Sequence, residues 1–141
     1  MKIRLAAIAG FLVAFAALPA MAQSYTAQLN GKSSNPANDS GGTGILMATL
    51  DAKAKTLKWE LHFWGMTGPA TASHFHGPAD AKTNAGVVVP LTKAGDTGPY
   101  SGTATLTDAQ IADLNAGKWY VNVHSAKFGP GEIRGQVMMD K

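Results

Sequence analysis

The sequence predicts an all-β chain, an antiparallel β-sandwich of about seven to nine strands with one short helix. Three observations predict it. Apolar and polar residues alternate in several short segments, most cleanly over Thr56 to Trp64, and a strand with one buried face has that period of two. Turn residues punctuate these segments: the 141 residues include 16 Gly and 7 Pro, with no collagen period. Only Thr107 to Asn115 carries helix signals at both ends. With 45% apolar and 15% charged residues, the chain is too apolar for disorder and long enough for one core.

Taken in order, residues 1–22 stand apart from the fold. Lys2 and Arg4 form a charged start, Leu5 to Leu18 is an uncharged apolar run, and Ala20-Met21-Ala22 is a small-x-small cleavage site before Gln23. This is the pattern of a secretory signal peptide, and the run is shorter than the roughly 20 residues that span a bilayer. The expectation is a signal peptide over 1–22 and one domain over 23–141. The destination is then the periplasm or the exterior, with no membrane span after cleavage.

Ser24 to Leu29 sets Tyr25, Ala27 and Leu29 on one face, and Asn30 to Gly44, rich in Gly, Ser and Asn, reads as a long loop. Ile45 to Leu50 is a strand and Asp51 to Lys55 a turn. Thr56 to Trp64 turns Leu57, Trp59, Leu61 and Phe63 inward and Lys58, Glu60 and His62 outward. Gly65 to Pro69 breaks this strand. Ala70 to His76 is extended again, Gly77-Pro78 closes it, and Ala79 to Ala85 is polar loop. Gly86 to Leu91 is a Val-rich strand with Pro90 near its end or on an edge, and Tyr100 to Leu106 alternates. Thr107 and Gln110 have capping-box spacing, Ile111 and Leu114 supply an apolar side, and Gly117 is a natural stop. Lys118 to His124 points Trp119, Val121 and Val123 inward and Tyr120, Asn122 and His124 to a polar, solvated face. Phe128 to Gly131 is a tight turn. Glu132 to Met138 is the last strand, its Glu132 and Arg134 reading as a solvated pair. Asp51, Asp80, Asp96 and Asp108 fall at turn and cap positions, where Asp serves structure.

The absence of Cys excludes disulfides, thiolate metal sites and Cys nucleophiles. The formal charge of +3 falls to +1 when Lys2 and Arg4 leave with the signal, so no basic stripe remains for nucleic acid. There is no Gly-x-Ser-x-Gly turn and the acids are scattered, so an enzyme is the less favoured reading. The four His residues carry the chemistry. His74 and His76, in Ser73-His74-Phe75-His76, project from the same strand face and can hold one ion between them. His124 sits on the polar face of another strand, beside a loop, where sites are commonly built. Three imidazoles with no carboxylate in the His74–His76 segment suit copper or zinc and disfavour calcium or magnesium. His62 is the weakest participant. Met47, Met66 or Met138 could add a thioether and favour Cu(I), but Met more often packs a core.

Ser73-His74-Phe75-His76-Gly77-Pro78, Gly86-Val87-Val88-Val89-Pro90-Leu91, Trp119-Tyr120-Val121-Asn122-Val123-His124-Ser125 and Gly131-Glu132-Ile133-Arg134-Gly135-Gln136-Val137 resemble the CHRD domain, named from chordin. The resemblance runs from about Tyr25 to Met138. It implies a secreted β-sandwich, immunoglobulin- or superoxide-dismutase-like. In chordin such domains belong to a secreted antagonist of growth factors. One departure is local: the family's first strand runs into a segment with an acidic residue and a Pro pair, and Asn30-Gly31-Lys32-Ser33-Ser34-Asn35-Pro36 lacks the acid. The disposition of His74, His76 and His124 is also similar to the copper ligands of copper/zinc superoxide dismutase. Four His cannot supply that enzyme's zinc cluster as well, so a bimetallic dismutase is excluded by counting.

Three functions remain in order of preference. The first is a secreted or periplasmic CHRD domain that binds a transition metal, copper before zinc, through His74, His76 and His124. The second is a metal-free module presenting its surface to an extracellular protein partner. The third is a mononuclear copper enzyme of dismutase type.

Overall fold

The computed structural model describes residues 22–91 and 99–141. Most of the expected signal peptide, and Asp96, lie outside them. The described residues form nine strands and one α-helix: β1 (Gln23–Asn30), β2 (Thr43–Asp51), β3 (Thr56–Trp64), β4 (Ala70–His76), β5 (Val87–Pro90), β6 (Tyr100–Thr105), α1 (Asp108–Asn115), β7 (Tyr120–Ser125), β8 (Ile133–Gln136) and β9 (Met138–Met139). All strand pairs are antiparallel and follow the path β5-β4-β7-β8-β1-β2-β3-β6, with β9 on β1.

Local chemistry explains the elements. The β2–β3 hairpin stays in register from Thr43 opposite Trp64 to Asp51 opposite Thr56. Its turn is closed by the Asp51 carboxylate, which accepts the Lys53 and Ala54 N–H groups at 3.0 and 2.9 Å. In α1 the Thr107 hydroxyl accepts the Gln110 N–H at 3.2 Å, while Gln110 Oε1 accepts the Thr107 N–H at 2.8 Å. Two of the helix's orphan donors are thereby satisfied.

The alternation delivers the core. Trp59, Phe63, Trp119, Val121, Val123 and Ile133 are all buried. β3 and β4 lie near opposite ends of the path, yet the Trp59 and Phe75 rings meet edge to face with centroids 5.6 Å apart. Phe75 also meets Trp119 at 5.6 Å. The sheet therefore curls around one apolar interior, and aromatic burial of this kind dominates core energetics.

Two expectations change. The last strand is two short ones: β8 pairs with β7 and, through Arg134 opposite Asn30, with β1, whereas β9 pairs with β1 alone. Between them Val137 sends its N–H to the Trp119 carbonyl at 2.9 Å, and its side chain stays in the core where the ladder with β7 ends. The outer face of β7 and β8 is covered rather than solvated. Tyr120, Asn122, Glu132 and Arg134 are all buried: the loop over residues 79–85 brings backbone partners to Tyr120 and Arg134, the Pro130 carbonyl meets Asn122, and Ser40 and Thr67 meet Glu132. Glu132 and Arg134 do not pair with each other; each has its own set of neutral partners.

Candidate metal centre

β4 and β7 bring the three predicted ligands together. His76 lies opposite Tyr120, His74 opposite Asn122, and Ala72 opposite His124. His124 is therefore the diagonal neighbour of His74 on the same face. One ring nitrogen from each of His74, His76 and His124 lies within 4.8 Å of the others. His74 Nδ1 and His124 Nε2 are 3.3 Å apart. Two nitrogens bound to one tetrahedral ion at about 2.0–2.1 Å would stand about 3.3 Å apart, so this pair already has a chelating separation.

Two loops orient the imidazoles. His76 Nδ1–H donates to the Ala85 carbonyl at 2.9 Å, and His124 Nδ1–H donates to the Gly129 carbonyl at 2.7 Å. These bonds assign the proton to Nδ1 and leave Nε2 with its lone pair, unpartnered at His76 among the described residues and accepting from His74 Nδ1 at His124, the arrangement usual behind a metal-ligating His. His76 Nε2 is buried and has no partner among the described residues.

The loop that carries Ala85 is held from β8. The Arg134 guanidinium donates to the carbonyls of Asp80 and Thr83 at 2.9 and 2.8 Å and to Asn84 Oδ1 at 2.9 Å. Gln136 Nε2 donates to the Ala79 carbonyl at 2.9 Å. The turn that carries Gly129 closes through the Gly131 N–H to the Phe128 carbonyl at 3.0 Å. Gly131 has φ 136°, and a Cβ there would stand 2.3 Å from Asn122 Oδ1. Glycine is required for the turn to lie on Asn122, whose Nδ2 holds the Pro130 carbonyl at 3.1 Å.

Electrostatics favour neutral ligands. Burial pushes the His74 pKa below its ordinary value, and the neighbouring His124 and His76 push it further. His76 is lowered first by burial, with the Ala85 carbonyl opposing, and then by the charges of His124 and Arg134. Both imidazoles therefore keep their lone pairs at neutral pH.

The other candidates fall elsewhere. His62, on the outer face of β3, hydrogen-bonds Glu60 and is outside the cluster. Met47 on β2 and Met138 on β9 are exposed, on strands that pair with neither β4 nor β7, and Met66 packs against the core. Sequence reasoning missed the supporting residues: Tyr120, Asn122, Arg134, and the carbonyls of Ala85 and Gly129. Tyr120, Asn122 and His124 were visible as one face by alternation. The carbonyls leave no trace in residue identity, since any residue can supply one.

With this geometry in place, the family is identified: the chain matches the CHRD domain over residues 25–137 and belongs to that family. No curated protein and no solved structure matches it.

Proposed function

We propose that this CHRD domain binds one transition-metal ion through His74, His76 and His124, with copper preferred and zinc second. The observation that carries this reading is a buried, unpartnered His76 Nε2 facing two further imidazoles, with two of the three rings locked by backbone carbonyls. A surface imidazole needs no such support. Three neutral nitrogens suit copper and zinc, and a fourth position is left for water, a thioether or a partner's ligand. The function is then metal binding, storage or transfer. Titration of the purified domain with Cu(I), Cu(II) and Zn(II) should give one ion per chain. Affinity should fall below about pH 6, because each imidazole must be deprotonated to bind. Absence of binding by all three ions would overturn the reading.

A metal-free interaction module is the second reading, supported by the exposure of Trp64 (55%) and Met47 (44%) on the outer face of β3 and β2. A dismutase-type copper enzyme ranks third. The curled sheet supports a sandwich of the immunoglobulin- or superoxide-dismutase-like kind. We further propose export behind the signal over residues 1–22, a reading supported by the sequence pattern there. Mass spectrometry of the exported protein should find Gln23 at its start; recovery of the chain with Met1 intact would refute it.

A further inference from the structure

A buried cation stands behind the candidate metal centre, and the metal site's own ligands do not require it. Arg134 is 1% exposed, and among the described residues no carboxylate forms an ion pair with it. Its hydrogen bonds go to two carbonyls and one amide oxygen. These partners are neutral and do not cancel its charge; the Asp80 carboxylate attracts it across space but is exposed to solvent, which screens it. The guanidinium carbon lies 3.5 Å from the centroid of the Tyr120 ring. His76 stacks on the same ring at 4.9 Å, with 2° between the planes. β7 lies between β4 and β8, so the imidazole and the guanidinium meet opposite faces of one phenol. Tyr120 is also tied to the Ala85 backbone through its hydroxyl, which accepts the Ala85 N–H at 3.0 Å.

We propose that Arg134 is a positioning residue of the three-His centre that also biases it toward an ion of low charge, Cu(I) over Cu(II) or Zn(II). This rests on the metal-binding reading above. Arg134 acts in two ways. Its fork holds the carbonyls of Asp80 and Thr83, and so fixes the loop whose Ala85 carbonyl selects the His76 tautomer. Its charge is permanent and is screened less in a buried setting than at a surface. Every added unit of charge on the bound ion is repelled by it. At a separation of two stacked groups and an effective dielectric near 20, one unit of charge changes affinity by about tenfold or more. The resulting preference for the reduced ion corresponds to about 59 mV per tenfold for a one-electron couple.

The two effects separate in substitutions. Arg134→Gln removes the charge; Arg134→Lys keeps the charge but loses the planar fork. Cu(I) and Cu(II) affinities would be measured for the wild type and both variants by competition with chelators of known affinity. The ratio of Cu(I) to Cu(II) affinity should fall about tenfold in Arg134→Gln and stay near wild type in Arg134→Lys, although both variants bind more weakly. Imidazole 15N spectra of the metal-free proteins should show His76 fixed with its proton on Nδ1 in the wild type and mixed tautomers in both variants. Arg134→Met, which also removes the charge but keeps an apolar stem against the Tyr120 ring, is the second neutral variant if Arg134→Gln fails to fold, and its ratio should fall about tenfold as well; an unchanged ratio there overturns the bias equally. An unchanged ratio in a folded Arg134→Gln, or a shifted one in Arg134→Lys, overturns the bias while metal binding stands. If the wild type binds no metal, the metal-binding reading falls and the bias falls with it, whereas the tautomer spectra still decide whether Arg134 positions His76.

Discussion

Replacing His124 with Ala is expected to lower affinity for Cu(I) and Zn(II) by about a hundredfold or more. A structural zinc site with four ligands binds with about 10–16 kcal/mol, or roughly 3 kcal/mol per ligand. His124 contributes more than one of three nitrogens. Its Nε2 is the atom that stands 3.3 Å from His74 Nδ1, and its Nδ1 is the one tied to Gly129. Without it, the remaining pair is His74 and His76, whose rings meet at 88° with centroids 5.4 Å apart, a poor chelate. His76→Ala should do the same, and His62→Ala should change affinity less than twofold, because its ring is committed to Glu60 on another strand. His124 is only half-buried, so its loss leaves the core intact and the measurement reads ligation rather than folding. Competition against a coloured chelator at pH 7.5 gives the numbers. Equal affinities for His124→Ala and the wild type would dispose of the three-His site.

How far the sequence could carry this is seen residue by residue. Alternation over β3 and β7 placed Trp59, Phe63, Val121 and Val123 in the core, and all are buried. The same period placed His74 with His76. That His124 joins them depends on β4 pairing with β7 across about fifty residues of chain, a long-range choice that local pattern does not encode. The outer face misled for a physical reason. A polar side chain on a strand reads as solvated, since burying it needs partners; here the partners are carbonyls of a loop over residues 79–85 with no periodicity of its own. Arg134 and Tyr120 are thus buried against backbone groups, and Gln136 is half-buried against another. The break between β8 and β9 was hidden too, because only the end of the ladder with β7 divides them, while β1 pairs with both.

Glu132→Ala should be the more damaging of the two substitutions for stability, at about 3 kcal/mol near neutral pH. Glu132 is wholly buried, and its carboxylate gathers three segments of chain. Oε1 accepts the Ser40 hydroxyl at 2.6 Å and the Thr67 N–H at 2.8 Å, and Oε2 accepts the Thr67 hydroxyl at 2.9 Å. The alanine variant leaves the Thr67 N–H without an acceptor and opens a cavity. Glu132→Gln keeps one acceptor and lets a hydroxyl rotate to receive the new amide, so about 1–2 kcal/mol is expected. Acid gives a second test. Burial alone would raise the Glu132 pKa, but hydrogen bonds from Ser125, Ser40 and Thr67 outweigh it and hold the value below an ordinary glutamate. A carboxyl depressed in the fold contributes stability above its unfolded pKa of about 4.3, and that contribution is lost as pH falls through the folded value. His74 and His76 act in a different window. Their folded pKa values lie below the unfolded one, so the unfolded chain binds more protons and stability already falls as pH drops below about 6.5. Urea denaturation of wild type and Glu132→Ala across pH should therefore show parallel losses from neutral pH to about pH 5, and a narrowing gap only below about pH 4. A gap that closes between pH 7 and 5, or an alanine variant as stable as wild type at pH 7, would show that the carboxylate does not hold these loops.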